Sequence, residues 1–373
     1  MSADLKGKTA ERIWFHTASL GEFEQARPIM EALKEKHPDL SIILTFFSPS
    51  GYEIRKNYAY ADHVYYLPAD TPANAEKFIE IIDPYIAFFT KYDFWLNYLS
   101  ALQAKQIPVI AISCLFRKDQ IYFKSIAHTY KTVLKKIDCI FVQNKESAEV
   151  LKSNGFSNYV IAGDTRYDRV TQNATQVKSI PSIQQFKQDK PLIVIGSSWP
   201  EDLNVLIPFI NNFTNDLKVI IAPHEINQAE IAKTALQLKR KSIKFSQLPD
   251  TEPNDYDVLF IDNIGMLSSL YHYADYAYIG GAFGKGLHNI LEAAVFGTPI
   301  FFGPNYEKFP EAIQLIEHGC AFPVKNTQVF INQFVDLYQN PEKRKTITQE
   351  SKRLIKNNTG GSEKILNYCK TFF

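Results

Sequence analysis

The sequence predicts an α/β protein built as two doubly wound parallel-sheet domains. Two observations carry this prediction. Short apolar runs alternate with amphipathic stretches in both halves, which is the signature of βαβ units. The 373 residues also exceed what one hydrophobic core usually organises.

In the first half the expected strands are 12–17, 41–47, 63–67, 85–90, 109–113 and 139–142. Helical patterns over 22–36, 73–82, 94–103 and 125–136 separate them. Residues 171–190 are polar, carry Pro181 and read as an interdomain linker. Alternation then resumes with strands expected at 191–195, 218–222, 258–262, 276–279 and 299–302. From Asn326 onward the pattern is helical, interrupted at Pro341 and at Gly360-Gly361. Ligands of such sheets collect beyond the carboxyl ends of the strands, and two such domains suggest a cleft between them.

Composition narrows the function classes. Lys plus Arg number 41 against 40 Asp plus Glu, so the basic excess of a bulk-charge nucleic-acid binder is missing. The four cysteines, Cys114, Cys139, Cys320 and Cys369, form no CxxC pair, which argues against a disulfide framework or a structural metal. No apolar run reaches the roughly 20 residues that span a bilayer. The polar opening lacks the apolar stretch of a signal peptide.

The sharpest segment is GGAFGKGLHNILEAAVFGTPIFFGP, residues 280–304. A strand expected at 276–279 runs into a loop with Gly280, Gly281, Gly284 and Gly286, and a helix is expected to open near His288. Glycines let backbone N–H groups approach an anion, and a helix N-terminus favours a phosphate. Glu292, four residues after His288, falls on the same helical face and suits ribose hydroxyls. A ligand-free glycine turn is the plainer alternative. Neither a Walker A loop nor a clean GxGxxG is present.

Other loops stand at expected strand ends. Ser197 and Ser198 either face a ligand or cap the helix ahead of Glu201. His224 follows the strand at 218–222 and is either a ligand contact or a surface histidine. In the first half, Ser19, Gly21 and Glu22 lie where strand 12–17 turns into a helix. Glu22 is either a first-turn carboxylate on the helix dipole or a general base. Ser50 lies in the next such loop. Lys91 and Asp93 follow strand 85–90, where Trp95 reads as packing. Residues 117–136 hold Arg117, Lys118, Lys124, Lys131, Lys135 and Lys136 among aromatics, either a solvated helix face or a contact for an anionic membrane.

Taken in order, these motifs resemble the 3-deoxy-D-manno-octulosonic acid (Kdo) transferases of lipid A assembly. Ser19-Leu20-Gly21-Glu22 is similar to their Ser-x-Gly-Glu, Pro68-Ala69-Asp70 to Pro-x-Asp, and Asp93-Phe94-Trp95-Leu96-Asn97 to a diverged Glu-x-Trp-Pro-Asn. Gly163-Asp164-Thr165-Arg166-Tyr167-Asp168 resembles Gly-Asn-x-Lys-Phe-Asp. Asp262 to Leu267 resembles Asp-x-x-Gly-Glu-Leu, and Gly280-Gly281 through His288-Asn289 and Glu292 matches Gly-Gly…His-Asn-x-x-Glu.

The resemblance implies a GT-B fold. Its acceptor-binding domain would cover residues 1–175 and its nucleotide-sugar domain 190–373, the last helix packing back on the first domain. It implies inverting transfer from CMP-Kdo to a lipid A precursor, without metal or cofactor, at the cytoplasmic face of the inner membrane. Attachment there would be peripheral, through the basic stretch, or through an apolar anchor segment absent from this chain. Glu22 would be the base. Ser197, His224, Gly281, His288, Asn289 and Glu292 would hold the donor. Ser19, Gly21, Ser50, Lys91, Asp93, Arg117 and Arg166 would line the acceptor side. Two departures stand out. Lys91 replaces a usual glutamate, and the Arg of the family's Pro-Arg-His is missing before His224, with Arg166, Lys285 and Lys308 as candidate substitutes. The alternatives are a UDP-sugar GT-B enzyme, transferase or 2-epimerase, and a non-catalytic nucleotide-sugar or lipid-binding module on the same fold.

Overall fold

The computed structural model describes residues 11–124, 128–177, 179–250, 255–284 and 286–372. The chain divides into two compact units. One runs to Arg169 and takes up the chain again from Asn358; the other spans Val170–Asn357.

The first unit holds a seven-stranded sheet: β1 Arg12–His16, β2 Ser41–Phe46, β3 His63–Tyr66, β4 Ile86–Thr90, β5 Val109–Cys114, β6 Cys139–Val142 and β7 Tyr159–Ile161. Its described strands all pair in parallel, in the order β3-β2-β1-β4-β5-β6-β7. β1, β2, β4 and β5 are buried almost throughout, as strands covered by helices on both faces must be. Trp14, Phe78, Phe89 and Tyr98 form one face's core and Phe15, Phe23, Phe46 and Phe88 the other's.

Ile365 and Cys369 of the C-terminal helix Gly361–Cys369 join that second core. Asp168 secures the start of this helix, its carboxylate accepting the N–H groups of Gly360 at 2.6 Å and Ser362 at 2.7 Å. Those amides have no partner within the helix, so an outside carboxylate satisfies them and complements the dipole.

The second unit repeats the plan with β8 Leu192–Ser198, β9 Lys218–Pro223, β10 Ser242–Lys244, β11 Val258–Phe260, β12 Tyr276–Ile279, β13 Ile300–Phe302 and β14 Ala321–Pro323. The order is β10-β11-β9-β8-β12-β13-β14, again parallel. β8 is central, so its carboxyl end lies beside those of β9 and β12.

Several expectations are corrected. Residues expected to form a linker are largely helical: helices Arg166–Thr175 and Pro181–Lys187 occupy this stretch, and Ile183 and Phe186 are buried. Pro181 starts the second helix at a position where its missing N–H costs nothing. The helix expected over 125–136 ends earlier, at Leu134; its described part is His128–Leu134, and residues 125–127 lie outside the described residues. The helix expected to open near His288 starts later and is one turn, Leu291–Ala294.

Candidate functional site

In the first unit the site grows from the end of β1. Ser19 stands at the N-cap of helix Leu20–Lys36, and Glu22 is its third residue. The Glu22 carboxylate folds back to accept the N–H groups of Ala18 at 2.6 Å and Ser19 at 3.2 Å. Glu22 therefore completes the helix start, and it is also buried, with 8% exposure. Burial, then the nearby Asp93 carboxylate, pushes its pKa up to about 7, against the opposing pull of Lys91 and the two backbone donors. A carboxylate poised near neutrality can take a proton and return it, as a general base requires.

Lys91 and Asp93 come to Glu22 from the end of β4. Lys91 has a left-handed backbone (φ 59°), uncommon for a side chain and typical of a strained strand-end loop. Burial raises the Asp93 pKa and Lys91 lowers it. Tyr92 bonds Arg117 and feels both carboxylates, so the Arg117 side chain reaches this cluster while remaining two-thirds exposed (66%) beside Asp119.

Arg166 grips the buried Asp164 with Nε and Nη2, at 2.9 and 2.7 Å. Together with Lys91, this holds the Asp164 carboxyl below its usual range. Gly21 and Ser50 are exposed, and the Ser50 hydroxyl bonds that of Ser48 at 2.9 Å.

Sequence reasoning overlooked His16. This fully buried ring bonds Thr45 Oγ1 through Nδ1 at 2.9 Å, and its Nε2 accepts the Trp95 indole N–H at 3.1 Å. An Nε2 that accepts carries no proton, so the ring is neutral. Burial lowers its pKa to about 3. Trp95 packs, as expected, but also donates; its ring lies 5.0 Å from that of Phe47.

In the second unit three strand ends converge. Between Gly196 and Ser198 the register of β8 against β9 shifts, and Ser197 takes a left-handed φ of 51°. Such an irregularity re-aims the chain at a strand end. Neither Ser197 nor Ser198 caps the following helix; Trp199 is its N-cap. The Ser198 hydroxyl is buried and has no hydrogen-bond partner.

Trp199, His224 and His288 form a stack. Ring centroids lie 4.6 Å apart between Trp199 and His224 and 4.3 Å apart between His224 and His288. Trp199 Nε1–H donates to His288 Nε2 at 3.1 Å, leaving the His288 proton on Nδ1. Burial, then His224, lowers the His288 pKa to about 4. A neutral imidazole beside an indole suits a flat ring or a hydrogen-bond acceptor.

The glycine loop does not offer its amides as expected. Gly280 N–H goes to Gly196 O, Gly286 N–H to Gly281 O, His288 N–H to Gly280 O, and Gly281 N–H to the Asp202 carboxylate. The glycines instead allow close approach. A Cβ on Gly281 (φ 94°) would strike Gly286 O and the His288 ring. Nor do His288 and Glu292 share a helical face. Asn289 Nδ2–H bonds Glu292 Oε1 at 3.0 Å, linking the two candidates directly. Of the proposed cationic substitutes, Arg166 belongs to the first unit and is held by Asp164, Lys308 is exposed, and Lys285 lies outside the described residues. Among the described residues no group of three His, Cys, Asp or Glu side chains could hold a metal ion.

Comparison with known proteins finds relatives of one kind. Residues 2–169 match the model of the 3-deoxy-D-manno-octulosonic-acid transferases (kdotransferases). The 3-deoxy-D-manno-octulosonic acid transferase of Haemophilus influenzae is 27% identical over 375 residues, covering 96% of this chain and 87% of that protein. That of Aquifex aeolicus is 28% identical over 351 residues, covering 92% and 90%. The chain is similar to Kdo transferases over nearly its whole length. Solved structures add the fold alone. The UDP-GlcNAc 2-epimerase of Neisseria meningitidis bound to UDP-GlcNAc superposes with a TM-score of 0.56 at 15% identity, covering 93% of this chain and 99% of that one. MurG of Acinetobacter baumannii gives 0.60 at 13% identity, covering 97% and 99%. The fold is GT-B.

The Kdo transferase motifs sort by what their side chains touch. Asp70 and Asn97 bind each other's backbone, and Asp168 holds the C-terminal helix. Glu22, Lys91 and Asp93 form a titratable cluster, whereas His288 and Asn289 precede the one-turn helix of the second unit that carries Glu292.

Proposed function

We propose that this chain is a Kdo transferase, moving Kdo from CMP-Kdo to a hydroxyl of a lipid A precursor, with inversion and without a metal. The observation that carries the reading is Glu22, a buried carboxylate with a pKa near 7 beside Lys91 and Asp93. It takes the acceptor hydroxyl proton as that oxygen bonds to the anomeric carbon of Kdo. The bond from that carbon to the CMP phosphate oxygen breaks, and its electron pair leaves with CMP.

The donor belongs to the second unit. Support comes from the stack of Trp199, His224 and His288, with Ser197, Gly281, Asn289 and Glu292 on the loops around it. The acceptor side belongs to the first unit, with Ser19, Gly21, Ser50, Lys91, Asp93, Arg117 and Arg166. Work at an anionic inner-membrane surface, on its cytoplasmic face, is supported by the exposed Arg117, Lys118, Lys124 and Lys135. Among the described residues no helix is long and apolar enough to cross a membrane.

The test incubates the purified chain with CMP-Kdo, generated in situ, and a tetraacylated disaccharide bisphosphate, then weighs the lipid by mass spectrometry. A product heavier by one or more Kdo units is expected. An unchanged lipid, together with thermal protection by UDP rather than CMP, would favour a UDP-sugar enzyme instead.

A further inference from the structure

Asp202 belongs to none of the motifs above, yet it joins two of the three strand ends in the second unit. It is the third residue of helix Pro200–Asn212 and fully buried. Oδ2 accepts the N–H groups of Trp199 and Gly281, each at 2.9 Å, and Oδ1 accepts the Tyr278 hydroxyl at 2.9 Å. One carboxylate therefore ties the loop after β8 to the loop after β12. The approach is close: a Cβ on Gly280 would meet Ser197 O and, at 2.7 Å, Asp202 Oδ2. An ordinary first-turn acid needs only the Trp199 contact to satisfy its helix start. The bonds to Gly281 and Tyr278 fix a second element, the one that carries His288.

Resting on the donor reading above, we propose that Asp202 is the positioning residue of the donor site. Its carboxylate sets the gap between residues 196–199 and Gly280-Gly281. It thereby holds the Trp199 indole against His288 Nε2 and both rings against His224. The group held in register is a pyrimidine nucleoside monophosphate, met by ring faces and a neutral imidazole.

The amide of Asp202→Asn keeps the volume but replaces one acceptor oxygen with a donor facing donors. The loops should part, and CMP affinity by calorimetry should fall about tenfold or more. In steady state the donor KM should rise while the acceptor KM stays unchanged. His288, followed by NMR of its ring protons without nucleotide, should titrate closer to 6.5 than in the parent protein. Ser351→Ala is the control, since it removes a buried hydroxyl that donates to Ala294 O in the same unit. It should lower the melting temperature yet leave CMP affinity and the His288 titration unchanged.

Parental CMP affinity in Asp202→Asn would overturn the proposal, as would equal weakening by Ser351→Ala. A parent protein that ignores CMP, with the His288 shift still present in Asp202→Asn, would refute the donor reading and retain the positioning role.

Discussion

Asp70 receives the backbone N–H of Asn97 at 3.1 Å and that of Tyr98 at 3.2 Å, so helix Leu96–Ala104 is capped by a residue 27 positions earlier in the chain. The Asn97 side chain returns a bond to Asp70 O at 3.0 Å, and Tyr98 Oη–H donates to Pro68 O. Two of the family's sequence elements are thus a single structural joint. It fixes the segment between β4 and this helix, which carries Lys91 and Asp93. Trp95, at the N-cap position, makes no side-chain cap of its own.

Asp70→Ala should therefore cost about 0.5–2 kcal/mol, the range for a lost cap. Urea denaturation would measure the loss. Because the same joint steadies the loop beside Glu22, kcat should fall as well, by more than for a surface alanine of equal stability cost. Asp70→Asn, which keeps an acceptor, should recover part of both.

The pH profile of the reaction follows from Glu22. Its pKa is raised to about 7, so it is protonated and inactive as a base below that value. With saturating donor, kcat should drop about tenfold per pH unit below pH 7 and level off above it. Asp93→Asn removes the second-largest cause of the elevation, so the midpoint should move down. A midpoint unmoved in Asp93→Asn would show that burial alone sets it.

Acid stability should depend on His16 and His288. Both are neutral in the fold, with pKa values lowered to about 3 and about 4. Below about pH 6.5 the unfolded chain binds protons that the folded chain refuses, so stability rises with pH in this range. Stability is full above pH 6.5 and is lost as pH falls towards 4 for His288 and towards 3 for His16. Each histidine contributes at most about 1.4 kcal/mol per pH unit. His16→Gln should flatten the fall in unfolding free energy between pH 6 and 4 while lowering stability at pH 8, because Trp95 and Thr45 lose a partner.

Asp168→Ala should free the C-terminal helix Gly361–Cys369 by removing the acceptor of Gly360 and Ser362. A hydrogen bond to a charged group is worth about 1.5–3 kcal/mol. Amide exchange should speed up in residues 360–369 and leave β8 and β9 unchanged.

The sequence revealed the buried strands readily and the edges poorly. Runs such as residues 86–89 and Cys139–Val142 are continuously apolar because helices cover both faces, and they stand out. β7, β10 and β14 went unread. Each has three residues at the margin of its sheet, too short to establish a period. Residues 171–190 looked like a linker because few apolar side chains interrupt their polarity, yet Ile183 and Phe186 suffice to seat a helix.

At the site, strand-end positions pointed to Glu22, His224 and His288, since chemistry gathers where parallel strands end. The direction of the glycine amides was not readable. Asp202 lies 79 positions before Gly281 and resembles any acidic residue in a first helical turn. His16 was hidden inside an apolar strand, where its bonds to Thr45 and Trp95 span 29 and 79 positions. Partners that distant leave no local pattern.

The central claim is that Glu22 is the base of Kdo transfer, and Glu22→Gln tests it most directly. The amide keeps the shape, cannot take the acceptor proton and cannot titrate near 7. CMP-Kdo and acceptor would be offered at saturation and the lipid product followed by mass spectrometry over time. The account predicts a turnover lower by about a hundredfold or more, with CMP affinity unchanged by calorimetry. Turnover within a few-fold of the parent enzyme, still falling below pH 7, would contradict it and place the base elsewhere.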